Sequence, residues 1–525
     1  MGMHAKGGRG VKPQLLTKHW TDSMFRMYHE LHDVPATIGG ATRAQTSTAI
    51  DGNVVLCRTP QEVTTLRGWV TCFVSQIMQV VKASALNVIV FDEPENLTEA
   101  KKAEQDSRDE QALKGHVVAS ADAPREFKIP ETDDYLADDL NYAGLDVHDV
   151  KDFRAARSRL FDEIVRLGFR EIQARIQSSD MKGTVLIIDG LDQRGAHRPI
   201  GEKRNPQLYG VENCPVLSHM IRSQPIGEGD LKLAWVEDKI RSLVKQKIID
   251  VKVHLTLTID TDSFAIELIE EGRRRCEDEE PSEVAGILCL YEKSDYCLNR
   301  LPNRTREETK GFLVCNYAEL YNRLVDHLWH EAVVTYKQPA PTLEEQRHSI
   351  NFMAAGWILS GCDFCDINGM TAELVLESLP AMLVQPETRE LMRSFKYSWA
   401  GGRKHLAKMI PALQYLVRMC SSNYERKNRS DKATVYTMKT FNSAAMKRCV
   451  WTIAYWNGNE KAGNIPEFGF FNDEDEINRL QYREGIGLRL TGPQQQRLGK
   501  FLERRDNSRD PPEVQMDRMV RQRVA

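Results

Sequence analysis

Two rhythms of apolar positions run along this chain. In QEVTTLRGWVTCFVSQIMQVVK, residues 61–82, apolar side chains recur every three or four positions, which predicts an amphipathic helix. Residues 87–91 and 183–190 (GTVLIIDG) are instead short apolar runs bounded by turn residues, the pattern of buried strands. TSTAIDGNVVLCR (46–58) predicts a short strand that ends at Asp51 and is followed by a turn, and DVKVHLTLTIDTDSFAIEL predicts a strand running to Asp260 and Asp262. Residues 151–178 read as helix. VLSHMIRSQPIGEGDLKLAWVEDKIRSLV starts near a strand, turns at Pro225 and Gly227 and enters a helix. Residues 273–340 show no clear period, and helices dominate from there to about residue 450. Strands alternating with helices predict an α/β fold with a mostly parallel central sheet flanked by helices.

The apolar strands share one feature: they end in acids. In parallel α/β sheets the ligand site lies beyond the carboxyl ends of the strands, so Asp51, Asp92, Glu228, Asp230, Asp260, Asp262 and Asp363 form one candidate site. Glu228/Asp230 and Asp260/Asp262 are pairs two residues apart, and alternate residues of extended backbone point the same way. Any one such acid is commonplace, since Asp favours helix N-caps and turns; seven acids in this order are not. Carboxylates gathered this closely repel one another unless cations neutralise them, and hard oxygen ligands select Mg²⁺ or Mn²⁺. Two such ions about 4 Å apart activate water and stabilise a leaving oxygen in phosphodiester cleavage. Asp189 also ends an apolar strand and is the alternative to Asp92; Asp92 is preferred because a long amphipathic helix precedes it.

Composition narrows the setting. Among 525 residues, 71 Lys and Arg nearly balance 75 Asp and Glu, so a nucleic-acid binder of this composition must segregate its charges. Residues 104–150 are acidic and weakly apolar, as in an exposed insertion. No apolar run approaches the 18 or so residues of a membrane span, and the first residues lack the apolar segment of a secretory signal, which implies an intracellular protein. Eleven scattered cysteines suit a reducing compartment. Cys362 and Cys365 flank Asp363 but lack the second Cys/His pair of a structural zinc site, so Cys365 reads as the start of a turn.

In order and local context these acids resemble the flap endonuclease family, the XPG/Rad2-like structure-specific 5′ nucleases. The matching islands include AIDGN, VIVFDEP, PIGEGD, TIDTD and GCDFCDINGM, the resemblance covers about half the chain, and all seven metal-site acids of the family have counterparts. PIGEGDLK also resembles the 5′→3′ exoribonucleases. The resemblance implies a PIN/FEN-like nuclease core with a helix–two-turn–helix and large insertions. It divides the chain into an N-terminal part of the core (1–98), an arch or cap insertion (99–225), the rest of the core (226–400, helix–two-turn–helix near 361–385), a helical extension (401–488) and a tail (489–525).

It further implies two Mg²⁺ or Mn²⁺ ions on the seven acids, with Lys101, Lys102 and Arg108 polarising the scissile phosphate from the start of the arch. Gly2 would lie near the active site, and Gly369 at a duplex phosphate, through a K⁺ ion; Thr371 stands where the family has a second glycine. Arg403 and Lys404 belong to a basic patch suited to a phosphate track. Gln495, Leu498, Phe501 and Leu502 resemble the peptide by which replication enzymes hold a sliding clamp, with apolar plugs on one helical turn. The expected protein is a monomeric enzyme without membrane contact. It cuts branched or 5′-flap DNA in replication or repair, in the nucleus or wherever DNA is copied. An RNA-directed nuclease of the same superfamily, and a nuclease fold kept as a binding or structural component, are the alternatives.

Overall fold

The computed structural model describes residues 25–57, 59, 63, 65–92, 154–188, 207–217, 229–258, 262–277, 282–291, 311–360, 372–393, 412–420, 449, 452–453, 495 and 499. Its strands are β1 (Phe25–Tyr28), β2 (Thr46–Asp51), β3 (Leu86–Val90), β4 (Val185–Ile188), β5 (Gln207–Tyr209), β6 (Val253–Thr258), β7 (Ala285–Tyr291) and β8 (Phe312–Asn316). Its helices are α1 (Asp33–Gly39), α2 (Gly52–Cys57), α3 (Leu66–Ala83), α4 (Arg154–Ser178), α5 (Gly229–Lys245), α6 (Asp262–Glu277), α7 (Tyr317–His330), α8 (Leu343–Leu359), α9 (Ala372–Leu383) and α10 (Pro386–Arg393).

The strands form one mixed sheet in the order β1-β8-β7-β6-β2-β3-β4-β5. The inner five, β7 to β4, are parallel, and β1, β8 and β5 add antiparallel edges. From β2 the chain steps outward to β3 and β4, then returns to β6 on the other side of β2 and steps outward again to β7. Strand order therefore reverses between β2 and β6, and at such a point the connections leave in opposite directions and open a crevice at the carboxyl edge.

Alternation along the strands divides the core. Ile50, Ile89, Leu186 and Ile188 pack with α3 and α4 on one face, while Ala49, Val88, Val90 and Ile187 pack with Leu233, Val236 and Ile240 of α5 on the other. A one-residue slip would exchange the two sets, so the packing holds the register. Beyond α5, helices α6 to α9 build a second core against Leu288, Leu313 and Cys315.

Several expectations change in detail. The helix expected over 61–82 begins at Leu66, because Thr65 accepts the Gly68 N–H through Oγ1 at 3.1 Å and caps it. The turn expected after Asp51 is helix α2: Asp51 Oδ1 accepts the Asn53 N–H at 2.9 Å, and the Phe91 ring packs where a side chain on Gly52 would stand. The stretch without a clear period, 273–340, holds β7, β8 and α7. The segment before Asp51 supplies the edge strand β1, paired antiparallel with β8.

Candidate functional site

At the carboxyl edge the parallel strands end level. Asp51 of β2 stands opposite Val90 of β3, and Ile50 opposite Leu257 of β6. Asp92 follows two residues after the end of β3. Helix α5 starts against this edge: the Gly229 N–H donates to Asp92 Oδ1 at 2.7 Å. A Cβ at Gly229 would sit 3.4 Å from Asp92 Oδ1 and 3.7 Å from Asp51 Oδ1, so both carboxylates reach one point beside the helix start. The positive end of the α5 dipole favours negative charge there.

Two further predicted acids approach on helices. Asp230 lies in the first turn of α5 and Asp262 in the first turn of α6. Ser263 joins the two turns by donating from Oγ to Asp230 Oδ1 at 2.7 Å. The expectation that each acid pair lies on extended backbone is corrected here. β6 ends at Thr258, and helical conformation already holds Asp230 and Asp262, whose direction is therefore set by a period of 3.6 rather than 2.

The described residues thus include four of the seven predicted acids, Asp51, Asp92, Asp230 and Asp262. Gln495 of the clamp-like motif is exposed and helical. Glu228, Asp260, Asp363, Asp189, Lys101, Lys102, Arg108, Gly2, Gly369, Arg403, Lys404, Leu498, Phe501 and Leu502 lie outside the described residues. Among the described residues no group of three His, Cys, Asp or Glu closes around one metal position. The donor set at the point beside Gly229 is two carboxylates. That suits Mg²⁺, which commonly takes one or two carboxylates and keeps several waters.

Sequence reasoning missed a buried residue that ties α5 to the end of β3. Lys232, one turn into α5, is fully buried and donates from Nζ to the Phe91 carbonyl at 2.9 Å. A sequence signal existed: a lysine three residues after Gly229 falls on the same helix face.

Two turns further along α5 lies a buried ionic network. Arg241 donates to Glu237 Oε1 from Nη2 at 2.6 Å and from Nε at 2.9 Å. Arg274 of α6 lies 3.7 Å from the same oxygen and 3.8 Å from Glu267. His254 of β6 shares a 2.8 Å hydrogen bond between Nδ1 and Ser47 Oγ of β2. A Cβ on Gly286 of β7 would overlap Glu237, Tyr317 and Arg241, so only glycine leaves room for the network. Burial alone would push the Glu237 carboxyl up, but the Arg274 and Arg241 guanidiniums outweigh it and hold it down at about 2. Burial, reinforced by the neighbouring Glu237 charge, pushes Glu267 well above the usual carboxylate range. Burial holds His254 down at about 4, against the pull of Glu237.

Among the described residues no helix is long and apolar enough to cross a membrane. No protein-family model matches the chain, and a search of the curated proteins returns no match.

Proposed function

We propose that this chain is a metal-dependent 5′ nuclease with a PIN/FEN-like core, cleaving phosphodiester bonds of branched or 5′-flap DNA. The observation that carries the reading is the meeting of Asp51 and Asp92 beside the start of α5, at the carboxyl edge where the strand order reverses. Unrelated capping aspartates would scatter over the sheet. Asp51 ends one strand and Asp92 follows the end of its neighbour, with Asp230 on the adjoining helix turn.

Asp51, Asp92, Glu228, Asp230, Asp260, Asp262 and Asp363 would hold two Mg²⁺ or Mn²⁺ ions. When bound, such ions supply an activated water and stabilise charge on the scissile phosphate. The protein's own groups orient that site. The Gly229 N–H fixes Asp92, Ser263 fixes Asp230, and Lys101, Lys102 and Arg108 would bring positive charge to the phosphate oxygens. K⁺ beside Gly369, and the phosphate contacts of Gly2, Arg403 and Lys404, extend the same reading along the substrate. The tail motif would tether a monomeric enzyme to a sliding clamp at sites of DNA copying, in the nucleus where the cell has one.

Two readings compete. The Gly-Glu-Gly-Asp run at 227–230 favours an RNA substrate. A non-catalytic nucleic-acid-binding role is favoured by a specific observation: Asp92 and Asp230 already accept hydrogen bonds from the protein. One assay separates all three. A labelled 5′-flap DNA, a matched RNA and a plain duplex are each incubated with Mg²⁺ and with EDTA. Flap cutting that EDTA abolishes is expected. Cutting of RNA alone would move the assignment to the second reading, and binding without cutting to the third.

A further inference from the structure

We infer that the ionic network between α5, α6 and β6 is a water-binding site, in which ordered water bridges the Arg274 guanidinium to the carboxyl groups around it. Arginine offers five N–H donors, and Arg274 is only 5% exposed. Yet none of its Nε, Nη1 and Nη2 atoms makes a hydrogen bond among the described residues. Nη2 stands 3.7 Å from Glu237 Oε1, 3.8 Å from Glu267 Oε2 and 3.7 Å from Glu271 Oε2. Opposite charges attract at those separations, but an N–H does not bond an oxygen directly across them. Glu237 Oε2 and Glu267 Oε2 in turn meet no N–H donor among the described residues. A buried guanidinium needs hydrogen bonds as well as charge to offset its desolvation, and polar groups more than about 3.5 Å apart are where bridging water belongs.

The strand beneath gives an independent observation. VHLTLT, residues 253–258, alternates apolar and polar positions as a strand with one wet face does, but all six residues are buried. Val253, Leu255 and Leu257 fill the apolar core shared with α3 and α4. His254 and Thr256 therefore turn to the other face, toward α5 and α6. His254 Nδ1 is taken by Ser47, while its Nε2 has no partner among the described residues. A buried strand face of this polarity needs polar company that the packed side chains do not complete.

The charges select the occupant. The Arg241 and Arg274 guanidiniums repel a metal cation, and the carboxylates of Glu237 and Glu271 repel an anion. Water is neutral, accepts from a guanidinium and donates to a carboxylate. A buried water typically makes about three hydrogen bonds, and the Arg274 N–H groups with Glu237 Oε2 and Glu267 Oε2 offer that many partners.

A crystal structure of the metal-free, full-length protein, at a resolution that shows ordered solvent, tests the site. Solvent peaks are expected within about 3.2 Å of both an Arg274 nitrogen and one of the two Oε2 atoms. Direct N–H···O bonds from Arg274 to the carboxylates, with no solvent between them, would overturn the inference. In solution, magnetic relaxation dispersion of water oxygen counts long-lived internal waters. Glu267→Met puts an apolar side chain of similar length in place of one partner and is expected to remove about one such water; an unchanged count would speak against the site. Should Glu267→Met fail to fold, the wild-type crystal structure decides alone. Neither measurement uses a metal or the cleavage activity, so the outcome is separate from that of the nuclease assay.

Discussion

The Ser263 hydroxyl donates to Asp230 Oδ1 at 2.7 Å, and this bond ties the first turn of α6 to the first turn of α5. Both helices begin at the acidic edge, so a buried hydroxyl sets the direction of an acid on the neighbouring element. Groups that orient ligands in this way are typically worth about 10- to 100-fold in affinity or activity. Ser263→Ala is expected to lower Mg²⁺-dependent cleavage about tenfold. Loss of one hydrogen bond should cost only about 1 kcal/mol of stability. Single-turnover rates and urea melts of the same preparation check both halves.

Asp51→Asn keeps an oxygen for the Asn53 N–H that Asp51 caps, and removes only the charge. Cleavage is expected to fall by about a thousandfold or more, the scale seen when a group stabilising transition-state charge is lost. Asp260→Ala should do the same. Wild-type rates in either variant would end the nuclease assignment.

Replacing Lys101, Lys102 and Arg108 together by Gln should lower the single-turnover rate far more than substrate affinity, because their proposed action is on the reacting phosphate. Paired measurements of binding and single-turnover cleavage decide the point. Weakened binding at an unchanged rate would make them part of a general phosphate track.

The ionic network predicts the response to acid. His254 is faced by Glu237 and Arg241 of α5, Arg274 of α6 and Ser47 of β2, and burial holds it at about 4 rather than 6.5. The unfolded chain binds a proton that the folded protein excludes. Stability from this group is complete above pH 6.5 and is lost as the pH falls toward 4. Glu237 adds a second loss between its ordinary 4.5 and about 2. Glu267, raised by burial, works in the opposite sense: its contribution is complete below pH 4.5 and is lost as the pH rises through its elevated value. His254→Asn is expected to flatten the loss between pH 6.5 and 4 while leaving the loss near Glu237. Melting temperatures across that range test it.

The tail prediction rests on sequence. Truncation after Gly492 should leave Mg²⁺-dependent cleavage of free substrate intact and abolish stimulation by a sliding clamp. A peptide spanning 490–510 should bind the clamp with micromolar rather than nanomolar affinity, since a polar segment must be ordered on binding. Loss of binding in a Leu498→Ala, Phe501→Ala peptide is the expected control.

Local rules, read along the chain, determined much of this architecture. The unbroken apolar run before Asp92 marks β3, the three-to-four spacing of Trp69, Phe73 and Ile77 marks α3, and the placing of Asp51 and Asp92 at strand ends is already legible in single segments. An unbroken apolar run and helical periodicity are short-range patterns that a stretch of ten residues expresses by itself.

Tertiary structure alone decided what stands beside what. The entry into a helix after Gly227 is legible in the sequence, but nothing local to GEGDLK seats that helix start against β3. That seating follows from the return of the chain to β6 beside β2, which lays α5 across the strands and brings Gly229 to Asp92. The same seating buries Lys232 and assembles Glu237, Arg241, His254 and Arg274 from three elements into one network. Isolated in sequence, each of these residues reads as an ordinary solvated charge. Burial, which makes an uncompensated charge costly, is a property of the packed assembly, and it is what sets these residues apart from ordinary surface charges.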